Sequence, residues 1–184
     1  MDAVARDLLG RVVVHAVDGT VRAGRIVETE AYAGGDDPAS HAWGGPGPHR
    51  RHLFGRPGTV YVYRSYGVHW CVNAVTAPDG GGCAVLLRAL EPLDGLDAMG
   101  RDGAGRPVRQ LAAGPGRLCQ VMAITGAHDG GRWWRGPLLV RAGTPVPEAA
   151  VAVTPRIGIR HAADRLLRFV VRDSASLSRR MTTV

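Results

Sequence analysis

Residues 59–75 read TVYVYRSYGVHWCVNAV, and this stretch decides how the rest of the chain is read. β-Branched and aromatic residues alternate on both sides of a short turn around Arg64–Gly67, the pattern of an antiparallel β-hairpin. The same reading extends outward. CAVLLRALEPL (83–93) is a third clear strand, and VRAGRIVETEAY (21–32) returns from a strand at 11–17 across the DGT turn, after a short helix ending near Gly10. GPLLVRAG (136–143), AVAVTPRIGI (150–159) and LLRFVVRD (166–173) add short strands. Helices are expected at 93–103 and at 113–126, where Pro115 opens the helix and Gly126 closes it, with a polar linker at 101–110. Residues 33–58, rich in Gly, Pro, Asp and His, form a long loop, a length that usually signals function or disorder. No parallel βαβ unit, GxGxxG or phosphate-binding loop is present. The expected fold is α+β: one domain over residues 1–184, built on a curved antiparallel sheet, partly open and barrel-like, with a few peripheral helices.

The 184 residues suffice to bury a core. Hydrophobic residues at 45% and charged residues at 21% fit a soluble globular protein. No apolar run reaches the roughly 18 residues that span a bilayer, and no leader is evident, so a cytoplasmic location is expected. Cys71, Cys83 and Cys119 are scattered without a CxxC pair, which argues against a disulfide framework or a cysteine metal site. His49 and His52 have HxxH spacing, but two ligands on a Gly/Pro loop fall short of a metal centre. The net charge is +7, and all 23 basic residues are arginine. Such an excess favours a polyanionic partner; membrane is the weaker choice, because no basic amphipathic helix stands out. Without lysine, Schiff-base catalysis by an ε-amine is excluded.

GRIVETEAY (24–32) carries the main anomaly. In an extended strand Ile26, Glu28, Glu30 and Tyr32 share one face, opposite Val27, Thr29 and Ala31. Two carboxylates and a tyrosine are thereby presented to solvent or to a cleft. Spacing alone leaves open a plain solvated face or a general base beside an aromatic wall, which could activate water and stabilise an oxocarbenium-like sugar. Tyr66 falls at the hairpin turn, where a large aromatic has little core to pack on and where some proteins wedge into a base stack. Asn73 either satisfies backbone locally or reads a ligand's edge. Arg88, inside VLLRAL, needs a buried anionic partner, and Glu30 is a candidate.

Taken in order and spacing, GRIVETEAY, the following His41, FGRPGTVYVYRSYGVHWCVN, VLLRALEPLDG and GPGRLCQ make the chain closely resemble the alkyladenine (3-methyladenine) DNA glycosylase family, from VARDLLG to RFVVRDSASLS. The resemblance implies a base-excision repair enzyme that acts as a monomer on double-stranded DNA containing damaged purines, at the nucleoid. Such an enzyme flips the nucleotide out and hydrolyses its N-glycosidic bond without metal or cofactor. It implies that Glu30 activates water and that Arg88 holds water and Glu30 in place. By the same resemblance Tyr32, His41 and Tyr63 are expected to line the base pocket, Asn73 to disfavour the exocyclic amine of guanine, and Tyr66 to enter the gap left by the base. A cationic alkylpurine is a good leaving group and attracts electron-rich aromatic faces, so a single base could suffice. Glu28 is read as a supporting ion pair with an arginine, and the helix at GPGRLCQ, with Arg117, as a phosphate contact. The pattern departs from the family at GPHRRHLF (47–54) and at Val68, where methionine is common. A rival reading is a homologue that binds damaged DNA without catalysis; another is a hydrolase of free nucleosides or sugars.

Overall fold

The 14-residue strand Thr20–Ala33 organises the fold, because every other strand is placed relative to it. The computed structural model describes residues 1–78 and 80–181. Its strands are β1 (Val12–Val17), β2 (Thr20–Ala33), β3 (Val60–Ser65), β4 (His69–Val75), β5 (Cys83–Asp94), β6 (Leu138–Arg141), β7 (Val151–Thr154) and β8 (Arg168–Val171). Helices are α1 (Asp2–Asp7), α2 (Leu96–Asp102), α3 (Val108–Leu111) and α4 (Pro115–Val121). All pairings are antiparallel in one curled sheet of order β3-β4-β5-β2-β1-β6, with β8 on β2 and β7 on β8. The fold is the α+β half-barrel expected from the alternating strands.

One edge of β2 pairs with β5; the other is shared, with Thr20–Arg25 on β1 and Glu28–Glu30 on β8. Where the partner changes, the β2–β5 register slips between Ile26 and Thr29. Such an irregularity twists a strand and resets which face its side chains occupy. Ile26 and Ala31 therefore enter the same apolar core despite their odd separation, which corrects the expectation that Ile26 shares a face with Glu28 and Glu30.

That core lies between the sheet and the helices and includes Ala5, Val13, Ile26, Leu87, Met99 and Leu118. On β3, Val60 and Val62 point into it, while Tyr61 and Tyr63 pack on the opposite face in a smaller cluster with Leu53, Val75 and Ala84. Leu53 and Ala42 bring the 33–58 segment onto that second face. Strands buried on both sides explain the near-continuous apolar runs of the sequence.

Three boundaries differ from the sequence reading. Helix α4 ends at Val121 rather than 126, because Ala123 turns to φ 54°, a left-handed conformation that no helix continues through. The strand expected over 150–159 stops at Thr154, since Pro155 offers no N–H to a ladder. The 101–110 linker is shortened by α2 and α3.

Candidate active site

Alternation along four adjacent strands builds one wall. Tyr32 on β2, Tyr61 and Tyr63 on β3, Cys71 and Asn73 on β4, and Arg88 on β5 all face a cavity of about 480 Å³. Its rim comes from His41 and from Ile157–Ile159, and Tyr66 stands at its edge.

Behind this wall lies a buried ionic cluster. Glu28 and Glu30 are both completely excluded from solvent, which corrects the expectation of a solvated or cleft-facing pair. Glu30 Oε2 accepts hydrogen bonds from the Tyr32 hydroxyl (2.9 Å) and Arg88 Nη1 (3.3 Å), and Oε1 accepts from the Ile157 amide (2.8 Å). Glu28 Oε1 accepts from Arg88 Nε (3.0 Å) and Arg168 Nε (2.7 Å), and both its oxygens accept from Ser178. The nearer carboxylate of Arg88 is thus Glu28, with Glu30 second. Two guanidiniums against two carboxylates leave the cluster neutral, the condition under which buried charge is tolerable.

The two glutamates are driven in opposite directions. Burial pushes the Glu30 carboxyl above the ordinary glutamate range, more than Arg88, the Ile157 amide and Tyr32 pull it down. Burial acts on Glu28 too, but Arg168 and the Ser178 hydrogen bonds outweigh it, and its carboxyl lies below that range. Glu28 is a fixed anion. Of the two, Glu30 takes up a proton more readily.

The aromatic slot is internally braced. His41 Nδ1 pairs with the Tyr61 hydroxyl at 3.1 Å, and the His41 and Tyr63 rings meet with centroids 4.1 Å apart. Desolvation against these rings, then the Arg50 charge, lowers the His41 pKa, so the imidazole is neutral at pH 7 and does not repel a cation. Asn73 Nδ2 donates to the Tyr61 carbonyl at 3.2 Å, so it satisfies backbone while also lining the slot. An adjoining cavity of about 790 Å³ carries Arg50, Arg51 and Arg64.

The amino-acid sequence places the chain among known proteins at this point. The family described as methylpurine-DNA glycosylase matches residues 1–175. The chain belongs to the methylpurine-DNA glycosylase family. It is 49% identical over 181 residues (96% of this chain, 93% of the other) to a protein of Methanoculleus marisnigri named "Putative 3-methyladenine DNA glycosylase". Proteins of the same name from Rhodopseudomonas palustris and Agrobacterium fabrum are 47% and 50% identical, covering 96% and 85% of this chain and 82% and 78% of theirs.

In this methylpurine-DNA glycosylase family member the structure gathers Tyr32, His41, Tyr63, Asn73 and Arg88 around one cavity, with Glu30 bonded to its wall. Tyr66 reaches the edge of the same cavity from the β3–β4 tip, 92% exposed and at φ 52°. Arg117 is exposed on α4, a helix of only seven residues, and His52 of the HxxH spacing is taken by Asp129 at 2.7 Å. Sequence reasoning missed Arg168, Ser178, Arg156 and the Ile157 amide. Arg168 had a signal: it interrupts LLRFVV as Arg88 interrupts VLLRAL. Ser178 and the amide had none, because a backbone donor and a serine in a tail look like any other.

Proposed function

We propose that this family member excises alkylated purines of the 3-methyladenine type from duplex DNA, flipping the nucleotide into the tyrosine–histidine slot and hydrolysing its N-glycosidic bond. The observation that carries this reading is the buried Glu30 carboxylate, tied to Arg88 and Tyr32 at the wall of a slot of about 480 Å³, a size suited to one small ligand.

The base stacks among Tyr32, Tyr63 and neutral His41, whose electron-rich faces favour a cationic alkylpurine. As the C1′–N bond breaks, its electron pair leaves with the purine and cancels the positive charge there. Water adds to C1′, and its proton passes to Glu30, giving a free neutral base and an abasic site. Glu30 also stabilises the oxocarbenium-like sugar electrostatically. Arg88 orients Glu30. Asn73, with Nδ2 committed to Tyr61, crowds the exocyclic amine of guanine. Tyr66 fills the vacated stack, and the arginines of the adjoining cavity take phosphates. With no lysine in the chain, water rather than an ε-amine is the nucleophile, and the enzyme is monofunctional and works as a monomer.

A single-turnover reaction on a duplex with one alkylated purine, read by alkali cleavage of the abasic site, tests this. Wild type releases the base, whereas Glu30→Gln binds the lesion duplex and releases at least about 10²-fold more slowly, the scale of a lost general base. Lesion binding by wild type without release would leave a damage-binding protein instead. Affinity must also fall steeply with salt, as for any protein that displaces counterions from DNA; release that is insensitive to salt points to a hydrolase of free nucleosides.

A further inference from the structure

Ser178 lies 150 residues from Glu28 in sequence, yet touches both members of the Arg88–Glu28 pair. Its Oγ–H donates to Glu28 Oε1 at 2.7 Å, which leaves an oxygen lone pair to accept from Arg88 Nη2 at 3.2 Å. Its backbone amide donates to Glu28 Oε2 at 2.7 Å. Every nitrogen of the Arg88 guanidinium therefore has a partner: Nε on Glu28, Nη1 on Glu30 and Nη2 on Ser178. The longest of the three contacts is the 3.3 Å one to Glu30. A planar guanidinium held at three points has a fixed orientation. Without Ser178 it is held only through Nε and Nη1, it can pivot about the shorter Nε contact, and the longer one to Glu30 is the first to be lost.

Arg168 supplies the second half of the arrangement. Its Nε bonds Glu28 at 2.7 Å, Nη1 the Thr154 hydroxyl at 3.0 Å, and Nη2 the Arg179 carbonyl at 3.0 Å. It neutralises Glu28, so the Arg88 charge is not spent on Glu28 alone and remains available to Glu30. Without Arg168, three groups would carry a net negative charge in a dry site.

We propose that Ser178 and Arg168 are positioning residues for the glycosylase reaction, holding the Arg88 guanidinium so that it steadies the ionised Glu30 carboxylate. This rests on the reading of Glu30 as the base. Neither residue meets the substrate; both act through Arg88. The groups around Glu30 are Glu28 and Tyr32 from its own strand, Arg88 from β5, Cys71 from β4, Arg156 with its Asp37 partner beside Tyr32, and Arg168, opposite Glu30 in the β2–β8 register but bonded to Glu28. Of these, Ser178 touches Arg88 and Glu28, and of those two it is Arg88 that is hydrogen-bonded to Glu30.

A purely structural role would lower the melting temperature or the active fraction and leave the pH dependence of the remaining enzyme untouched. Positioning of Arg88 predicts a moved pH profile. The experiment measures single-turnover base release against pH on a duplex with one alkylated purine, for wild type, Ser178→Ala, Ser178→Thr, Arg168→Met and Glu30→Gln, together with lesion-duplex Kd. Ser178→Ala is expected to slow release on the order of tenfold at neutral pH, part of what a well-placed base contributes, with Kd within about twofold of wild type. Its acid limb moves upward, because a carboxylate that loses a nearby cation protonates more readily. Ser178→Thr, which keeps the hydroxyl, restores both. Arg168→Met moves the acid limb further, by about one pH unit; should that variant not fold, the serine pair decides. An acid limb of Ser178→Ala at the wild-type position overturns the proposal, whatever its rate or melting temperature. If Glu30→Gln releases base at the wild-type rate, the assignment of Glu30 itself fails; if it is inactive while the serine variant keeps the wild-type limb, only the positioning role falls.

Discussion

Arg156 and Asp37 form a two-pronged ion pair from which solvent is fully excluded: Nη2–Oδ1 is 2.9 Å, Nη1–Oδ2 is 2.5 Å, and both side chains are 0% exposed. The guanidinium also donates to the Ala31 carbonyl at 3.1 Å and lies 4.6 Å from the Tyr32 ring centroid. The next residue, Ile157, gives its amide to Glu30. One ion pair thus pins the loop after β7 to the loop after β2, and with it both Tyr32 and one oxygen of Glu30.

Breaking this pair is costly because an unpaired guanidinium is left in a dry site. Asp37→Asn is expected to lower unfolding free energy at pH 7 by about 3 kcal/mol, measured by urea denaturation; a loss under about 1 kcal/mol contradicts the role. Burial alone would raise the Asp37 carboxyl, but Arg156 and the amides of Ala33 and Ala39 hold it below the ordinary range. Its contribution is therefore present at neutral pH and fades as pH falls through the depressed folded value. The variant's stability should in consequence depend less on pH on the acid side than that of wild type.

In the proposed mechanism base release requires Glu30 ionised, and burial lifts its carboxyl above the usual glutamate range. The pH–rate profile for a cationic lesion should fall on the acid side with a midpoint above that of an ordinary glutamate. A profile flat down to the ordinary range contradicts this.

Cationic and neutral lesions should separate. A neutral base such as hypoxanthine leaves poorly without a proton donor, and the tyrosine hydroxyls of the slot are poor ones: burial raises that of Tyr61 to about 12 and carries that of Tyr63 higher still. Release from an alkylated duplex is expected to exceed release from a matched deoxyinosine duplex by roughly 10²-fold, the value of one general acid. Equal rates on the two duplexes would remove the leaving-group argument.

Tyr66 is 92% exposed at φ 52°, so the fold gains little from its ring and bears the cost of a left-handed bulky residue. Tyr66→Asn, which tolerates that conformation, is expected to stabilise the protein by about 1 kcal/mol while weakening lesion binding. Thermal unfolding and lesion-duplex Kd, measured on one preparation, check both halves. A variant that is destabilised, or that binds as wild type does, counts against the wedge.

Much of the fold was legible because strand periodicity and turn residues are local. The β3–β4 hairpin shows this in its alternation: Val60 and Val62 turn to one core, Tyr61 and Tyr63 to the other. The end of helix α4 is not legible in this way, since nothing local in MAITG announces that Ala123 takes a positive φ. Glu28 was legible as an ion-paired residue, but its partners were not, because Arg168 and Ser178 reach it from strands and tail far along the chain.

From the sequence alone came the antiparallel sheet, the pairing need of an arginine inside an apolar strand, and the ordered motifs of the family, all of which reside in neighbouring residues. Only the tertiary structure decided which of two like glutamates holds its proton more tightly. Glu28 and Glu30 differ by two positions and share one arginine, yet the second arginine and the serine reach Glu28 alone. Charge state in a buried site is set by what surrounds it in three dimensions, and desolvation without full compensation at Glu30 is a property of the assembled fold.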